Sequence, residues 1–296
     1  MIYFQDIKHS LKQILPTCLI NGFKSYLQKY VTEKKHLLSD TQLKEILIER
    51  FKIKKGDVLF LHSSLKQIEP ENGILSLLKI ILEVIGGNEG TILAPSYPKQ
   101  SSKAFMLNNE VFNINRSPSY SGILSEFIRR MPGAKRSLHP TKSVVALGKY
   151  ANQLIKDHGK SPFPYDENSP YYKIKNYNGK IMGMGLSAEF LSFYHVIEDI
   201  LKDDFPVDVY NNEIFSKKCQ GYDNTISEIK TYCHYMPRVG TKTIKRIERY
   251  FDDEYYFNGK ISNIPFFLVH SIPFYNKMIE LAKQGRTVYS RKVYKK

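Results

Sequence analysis

The sequence predicts an α/β fold: a mixed, largely parallel central sheet flanked by helices, with an antiparallel C-terminal portion. Three observations carry this. "GDVLFLHSSL" (56–65) and "TILAPSY" (91–97) are nearly continuous apolar runs, as expected of strands covered on both faces. Residues 74–85 between them form an apolar helical stretch closed by "GGNEG", so strand, helix and strand read as a βαβ unit with parallel pairing. From residue 205 the pattern turns to shorter, Tyr-rich alternating pieces such as "EIFSKKCQGYD" and "IPFFLVHSIPF", which predict antiparallel strands or loops appended to the core.

The elements follow in order. Residues 1–38 read as helical and basic, with Leu11, Ile14 and Leu15, then Phe23, Tyr26 and Leu27, at near-helical spacing, and Pro16 interrupting the first stretch. "LSDTQLKEILIERF" is a helix start: Ser39 and Gln42 have capping-box spacing, Asp40 is a competing N-cap, and Leu43, Ile46 and Leu47 form the buried stripe. A helix runs from Gly122 to Arg130 and is stopped by Pro132 and Gly133. Then come the strand "SVVALG", a short helix at 149–158, the loop "SPFPYDENSP", the strand "KIMGMG" and the helix carrying "FLSFYHVIEDIL". No repeat or low-complexity linker divides the chain, which favours one compact unit over 39–285, a basic helical extension over 1–38, and a basic, disordered tail over 286–296.

Forty-two per cent apolar residues, with 21 Tyr and 17 Phe, exclude a disordered or fibrous chain. No apolar run of about 18 residues is present, so no membrane span is expected. The N-terminus lacks the pattern of a signal peptide, and Cys18, Cys219 and Cys233 are odd in number and widely spread, which suits reduced thiols in a cytoplasm. No cysteine has metal-ligand spacing, so no metal is expected. Forty-four Lys plus Arg against 29 Asp plus Glu leave a net charge of +15. A field of that sign attracts anions: a nucleotide, a phosphorylated cofactor, a nucleic acid or an anionic membrane face.

Four polar sets fall at strand C-termini or on the helix that follows, where open α/β sheets place ligands. They are His62-Ser63-Ser64, Pro95-Ser96-Tyr97, His139-Pro140-Thr141-Lys142-Ser143, and His195 with Glu198. The first could simply end a strand and cap a helix. The third precedes its strand and could be a turn fixed by Pro140. His195 and Glu198 project from one helix face, about 5–6 Å apart at Cβ, with Asp199 one residue further. A carboxylate accepting from one imidazole nitrogen makes the other nitrogen a competent base, although such pairs are also common on helix surfaces. "GMG" (183–185) lacks the third glycine of a dinucleotide fingerprint and reads as a tight strand exit. Cys233 and His234 are adjacent in sequence, so their side chains would diverge, which argues against a Cys-His nucleophile.

The ordered set "GDVLFLHSSL", "GGNEGTILAPSY", "SPSYSGILSEFIRRMPGAKRSLHPTKSVVALG", "PFPYDENSP", "GKIMGMG" and "FYHVIED" resembles the aminoglycoside 3-N-acetyltransferase family, strongly over 39–205 and weakly beyond. The resemblance implies acyl transfer from acetyl-CoA, or another acyl-CoA, to a sugar amine. The family's Thr-x-x-His-x-x-Glu pattern falls on Ser192, His195 and Glu198, with Ser in place of Thr, and its earlier acidic position falls on Glu189. These imply catalytic roles for His195, Glu198 and Ser192. They imply cofactor-binding roles for Ser63, Ser64, His139, Thr141 and Ser143, alongside Ser137, and substrate contacts for Lys142, Glu189 and Tyr97. Many relatives carry a second histidine where this chain has Lys142. No activated cysteine is evident, so direct attack in a ternary complex is expected over a covalent acyl-enzyme.

Aminoglycosides are polycations, whereas this chain is +15 and its C-terminal third contributes "KTIKRIERYF". That balance leads the sequence reading to a nucleotide-linked amino sugar of surface-polysaccharide biosynthesis as acceptor, with Tyr-rich segments offering stacking faces for a base. The alternatives are an aminoglycoside acceptor and, in another class, a non-enzymatic basic protein binding nucleic acid or a membrane surface. The last leaves the ordered motif set unexplained, so no nucleic-acid partner is expected. A homo-oligomer is compatible with the sequence.

Overall fold

Ser39 opens the first helix as its spacing predicts: its hydroxyl accepts from the Gln42 N–H at 3.1 Å, and the Gln42 side chain accepts from the Ser39 N–H at 3.2 Å. Both otherwise unpaired donors of the helix start are thus satisfied. Ser39→Ala is expected to cost about 1 kcal/mol in a urea titration; unchanged stability would mean that the cap contributes nothing.

The computed structural model describes residues 35–289. Its strands, in chain order, are β1 (His36–Leu38), β2 (Val58–Ser63), β3 (Ile68–Pro70), β4 (Thr91–Pro95), β5 (Phe112–Asn113), β6 (Lys135–Arg136), β7 (Val144–Gly148), β8 (Lys180–Met184), β9 (Tyr210–Gln220), β10 (Ile226–His234), β11 (Tyr256–Ile261) and β12 (Ile264–His270). The helices are α1 (Asp40–Glu45), α2 (Gly73–Val84), α3 (Ser102–Leu107), α4 (Ile123–Arg130), α5 (Ala151–Ile155), α6 (Pro170–Lys173), α7 (Tyr194–Leu201), α8 (Met236–Val239) and α9 (Ser271–Lys283). No helix among the described residues is long and apolar enough to cross a membrane.

The main sheet has seven strands in the order β11-β12-β8-β2-β4-β7-β6. It is mixed and flanked by helices, as the sequence predicts, but less parallel than expected, since only β2–β4 and β2–β8 pair in parallel. Its parallel part is the central trio β8, β2 and β4, while β12 and β7 run antiparallel on either side. The βαβ reading of β2, α2 and β4 therefore stands. The antiparallel C-terminal portion divides: β11 and β12 join the main sheet, and β9 and β10 pair with β5 in a separate three-stranded sheet.

Alternation along β2 shows why the central strands read as unbroken apolar runs. Val58 and Phe60 enter one core with α5, α7 and α9, whereas Leu59 and Leu61 enter the other with α1, α2 and α4. A strand packed on both faces has no polar register to display.

Two sequence expectations change. Residues 36–38 form a strand, not helix: β1 lies parallel to β3, with the His36 N–H bonded to the Gln67 carbonyl at 2.8 Å. Leu38 is buried while Leu37 is exposed, the alternation of a strand. The helical pattern read over 1–34, with Cys18, lies outside the described residues. The tail read over 286–296 is also partly structured. Val288 and Tyr289 are buried, and the Val288 carbonyl accepts from the Thr243 N–H at 2.8 Å. Residues 290–296 lie outside the described residues.

Candidate active site

The sheet topology gathers the polar sets. The C-terminal ends of β2, β4 and β8 lie at one sheet edge, because these strands are parallel. β7 is antiparallel to β4 and pairs Val144 with Pro95, so residues just before β7 reach the same edge. This is how His139–Ser143, which precede their strand, arrive beside Ser96 and Tyr97; the Ser96 N–H donates to the Ser143 carbonyl at 2.8 Å. Beyond β8, Gly185 turns the chain toward α7, which carries His195 and Glu198 on one face.

His195 Nδ1 lies 2.9 Å and 3.0 Å from the two Glu198 oxygens. Both side chains are buried, and Tyr165 packs against the imidazole at 5.0 Å between ring centroids. Burial lowers the basicity of His195, and the Lys242 and Lys142 ammoniums lower it further, while Glu198 opposes them. The ring is therefore neutral near pH 7. With Nδ1–H donated to Glu198, the lone pair sits on Nε2, the arrangement a general base requires. Burial pushes the Glu198 carboxyl up, but the His195 and His234 imidazoles outweigh it and hold the group ionised.

Glu198 has partners that the sequence did not reveal. The Tyr289 hydroxyl donates to Oε1 at 2.6 Å, and His234 Nε2 lies 3.3 Å from Oε2. Burial pushes His234 down to about 3, so its ring is neutral and Nε2–H is the donor. The polar atoms of His195, Glu198 and His234 lie within 4.8 Å of one another, a spacing a metal ion could use. Here, however, the carboxylate already receives two N–H groups and one O–H, so the cluster is a hydrogen-bonded one. Cys233 packs with Met106 and Phe215, and burial pushes its thiol up to about 11. That disposes of a Cys-His nucleophile and yet leaves His234 in the site.

The remaining expected residues separate into partly exposed ones and fully buried ones. Ser192 and Tyr97 meet, with hydroxyl oxygens 3.3 Å apart, and the Lys142 ammonium lies 5.0 Å from the centroid of the Tyr97 ring. Ser63 and Ser64 are half-buried at the end of β2, where the Ser64 N–H donates to the Met184 carbonyl. His139, Thr141 and Ser143 are at most 1% exposed and make the turn itself. His139 Nδ1 accepts from the Thr141 and Lys142 N–H groups, and its ring stacks on His158 at 4.6 Å. Ser143 Oγ donates to the Ser96 carbonyl and accepts from Arg136 Nε at 3.0 Å. Ser137 Oγ bonds the Val144 N–H and His158 Nδ1, both at 2.8 Å. His139, Thr141 and Ser143 thus line the wall of the site, and His139 Nε2 and Thr141 Oγ1 have no hydrogen-bond partner among the described residues.

Glu189 has structural partners that the sequence did not reveal. Its carboxylate accepts from the Thr243 hydroxyl at 2.7 Å and the Ile244 N–H at 3.1 Å, and so anchors the segment that carries Lys242. Lys142 and Lys242 are both half-buried, and burial pulls the Lys142 ammonium down to about 8. Among the described residues neither ammonium has a hydrogen-bonding or ion-pair partner. The only signal that could have pointed to Lys242 was its place in a basic run, and Tyr289 gave none.

The sequence profile of the aminoglycoside 3-N-acetyltransferase family matches residues 60–283. An aminoglycoside N(3)-acetyltransferase III of Salmonella sp is 24% identical over 198 residues, covering 60% of this chain and 69% of that protein. An aminoglycoside N(3)-acetyltransferase IV of Salmonella sp is 30% identical over 155 residues, covering 51% of this chain and 56% of that protein. The matched stretches thus span 56% to 69% of the length of these curated relatives. Among solved structures, one described as AAC-IIIb binary with CoASH superposes with a TM-score of 0.66 at 19% identity, covering 86% of this chain and 100% of that one. At that identity the likeness speaks for the fold.

Proposed function

The chain belongs to the aminoglycoside 3-N-acetyltransferase family, and on that premise we propose that it transfers an acetyl group from acetyl-CoA to an amine of an aminoglycoside. The observation that carries the chemistry is the buried His195–Glu198 pair at 2.9 Å with Nε2 left free. The relatives' names supply the acceptor class, and the CoA-bound relative supplies the donor.

A sugar ammonium is no nucleophile until it loses its proton. The ammonium gives one proton to solvent; His195 Nε2 then takes a second from the amine nitrogen as it attacks the thioester carbonyl, and Glu198 stabilises the imidazolium that results. The new C–N bond forms, the C–S bond breaks, and His195 returns the proton to the departing CoA sulfur. The developing oxyanion needs donors. Ser143 is spent in the wall, so the half-buried Ser63 hydroxyl and nearby backbone N–H groups take that part. Among the described residues neither cysteine, Cys219 nor Cys233, is activated, in keeping with direct attack in a ternary complex.

The nucleotide-linked acceptor read from the net charge finds no support among these relatives, and the aminoglycoside reading moves ahead of it. One observation keeps an anionic acceptor as the second reading: the two unpaired ammoniums of Lys142 and Lys242 act on the base itself. The assay is release of free CoA thiol from acetyl-CoA, with kanamycin or gentamicin and, separately, with nucleotide-linked 3- or 4-amino-deoxy sugars. Turnover with the antibiotics is expected. Turnover confined to the nucleotide sugars reverses the order of the two readings, and release with neither set overturns both.

A further inference from the structure

Glu198 is shared by three donors drawn from three distant parts of the chain. His195 lies three residues away on α7, His234 ends β10, and Tyr289 follows α9. Each of the two remote donors is held in place independently. The His234 ring stacks on Tyr210 at 4.7 Å with an interplanar angle of 6°, and the Tyr210 hydroxyl is itself fixed by Asp199 Oδ1 at 2.6 Å. Tyr289 is seated by the Val288–Thr243 backbone bond and packs edge-on against Phe205. Asp199, next to Glu198, is occupied elsewhere, accepting from the Tyr165 N–H and the Tyr210 hydroxyl, both at 2.6 Å.

We infer that His234 and Tyr289 are positioning residues for His195: they hold the Glu198 carboxylate ionised and aimed at Nδ1, and they share its charge so that His195 stays a weak enough base to release its proton. A carboxylate that also serves two other donors stabilises an imidazolium less than one serving His195 alone. Removing either remote donor concentrates the carboxylate's charge on His195 and raises its pKa. The other charged and titratable groups facing the pair are Lys142 and Lys242, which lower His195 from the opposite side, and Tyr165, Asp199 and Tyr210, which the variants leave in place. This rests on the acyl-transfer reading for its catalytic meaning, but the proton equilibrium can be measured without it.

The test is the titration of His195 by side-chain nuclear magnetic resonance of 15N-histidine-labelled protein, with His195→Ala identifying the signal. Tyr289→Phe and His234→Leu are expected to raise the His195 pKa by about half a unit to one unit, roughly a three- to tenfold change in protonation. His234→Gln keeps an N–H donor at that place and is expected to restore the wild-type value. The acid limb of kcat/KM for thiol release moves upward by the same amounts. Tyr289→Phe is isosteric, so one informative variant remains folded even where His234→Leu does not. A His195 pKa unmoved in Tyr289→Phe overturns the inference. A shifted pKa in a protein that turns over none of the acceptors leaves the inference standing and overturns the proposed function instead.

Discussion

Replacing His195 with alanine is expected to lower kcat by about 10²–10⁴, the range for removal of a positioned general base, while the protein still folds. The second half of that expectation comes from the surroundings. Glu198 is deeply buried, and stripping its only donor would leave an uncompensated charge, which is strongly destabilising. It is not stripped here, because Tyr289 and His234 continue to donate to it. The loss therefore falls on turnover. Thiol-release rates measured beside thermal unfolding separate the two. A variant that keeps its rate places the base elsewhere, and His139 is no substitute, being fully buried with Nδ1 engaged by its own turn. A variant that does not fold contradicts the account of Glu198.

The second large effect is on stability. Gly185→Ala is expected to cost about 2–4 kcal/mol, the range of overpacking and backbone strain combined. Gly185 has φ +70, and a Cβ there would lie 2.0 Å from the Ser64 carbonyl oxygen. Backbone at the end of β2 cannot swing aside as a flexible side chain would, because the Ser64 N–H is tied to the Met184 carbonyl. The same close approach brings the ends of β2 and β8 together and aims the chain toward α7. The midpoint of thermal unfolding should fall by roughly 5–10 °C, and a change of about 1 °C or less would show that the turn has room to relax.

Much of this was legible beforehand where the signal is local. "GMG" announced a tight strand exit, and Gly185 has the backbone conformation of one. The Ser39–Gln42 spacing announced a capping box, and both bonds form. His195 and Glu198 were paired by helix geometry alone, since residues three apart share a face. The reading of 36–38 as helix failed because three residues carry no period of their own, and pairing with β3 decided them. Composition describes the whole of 286–296, whereas packing acts on particular side chains: among the described residues of that stretch Thr287, Val288 and Tyr289 are buried. Net charge is a weak guide to the acceptor for a related reason: it sums over the entire surface, and the few groups around a base need not follow it.

By itself, then, the sequence determined the periodic elements, the family and the His195–Glu198 pair, all properties written within a few residues or in the order of motifs. Only the tertiary structure decided that His139–Ser143 form a buried wall, since that depends on β7 running antiparallel to β4. Only it placed His234 and Tyr289 on the carboxylate, 36 and 91 residues from Glu198. A hydrogen bond specifies distance in space and not in sequence, so the groups that set the strength of the base are fixed by where the folded chain returns.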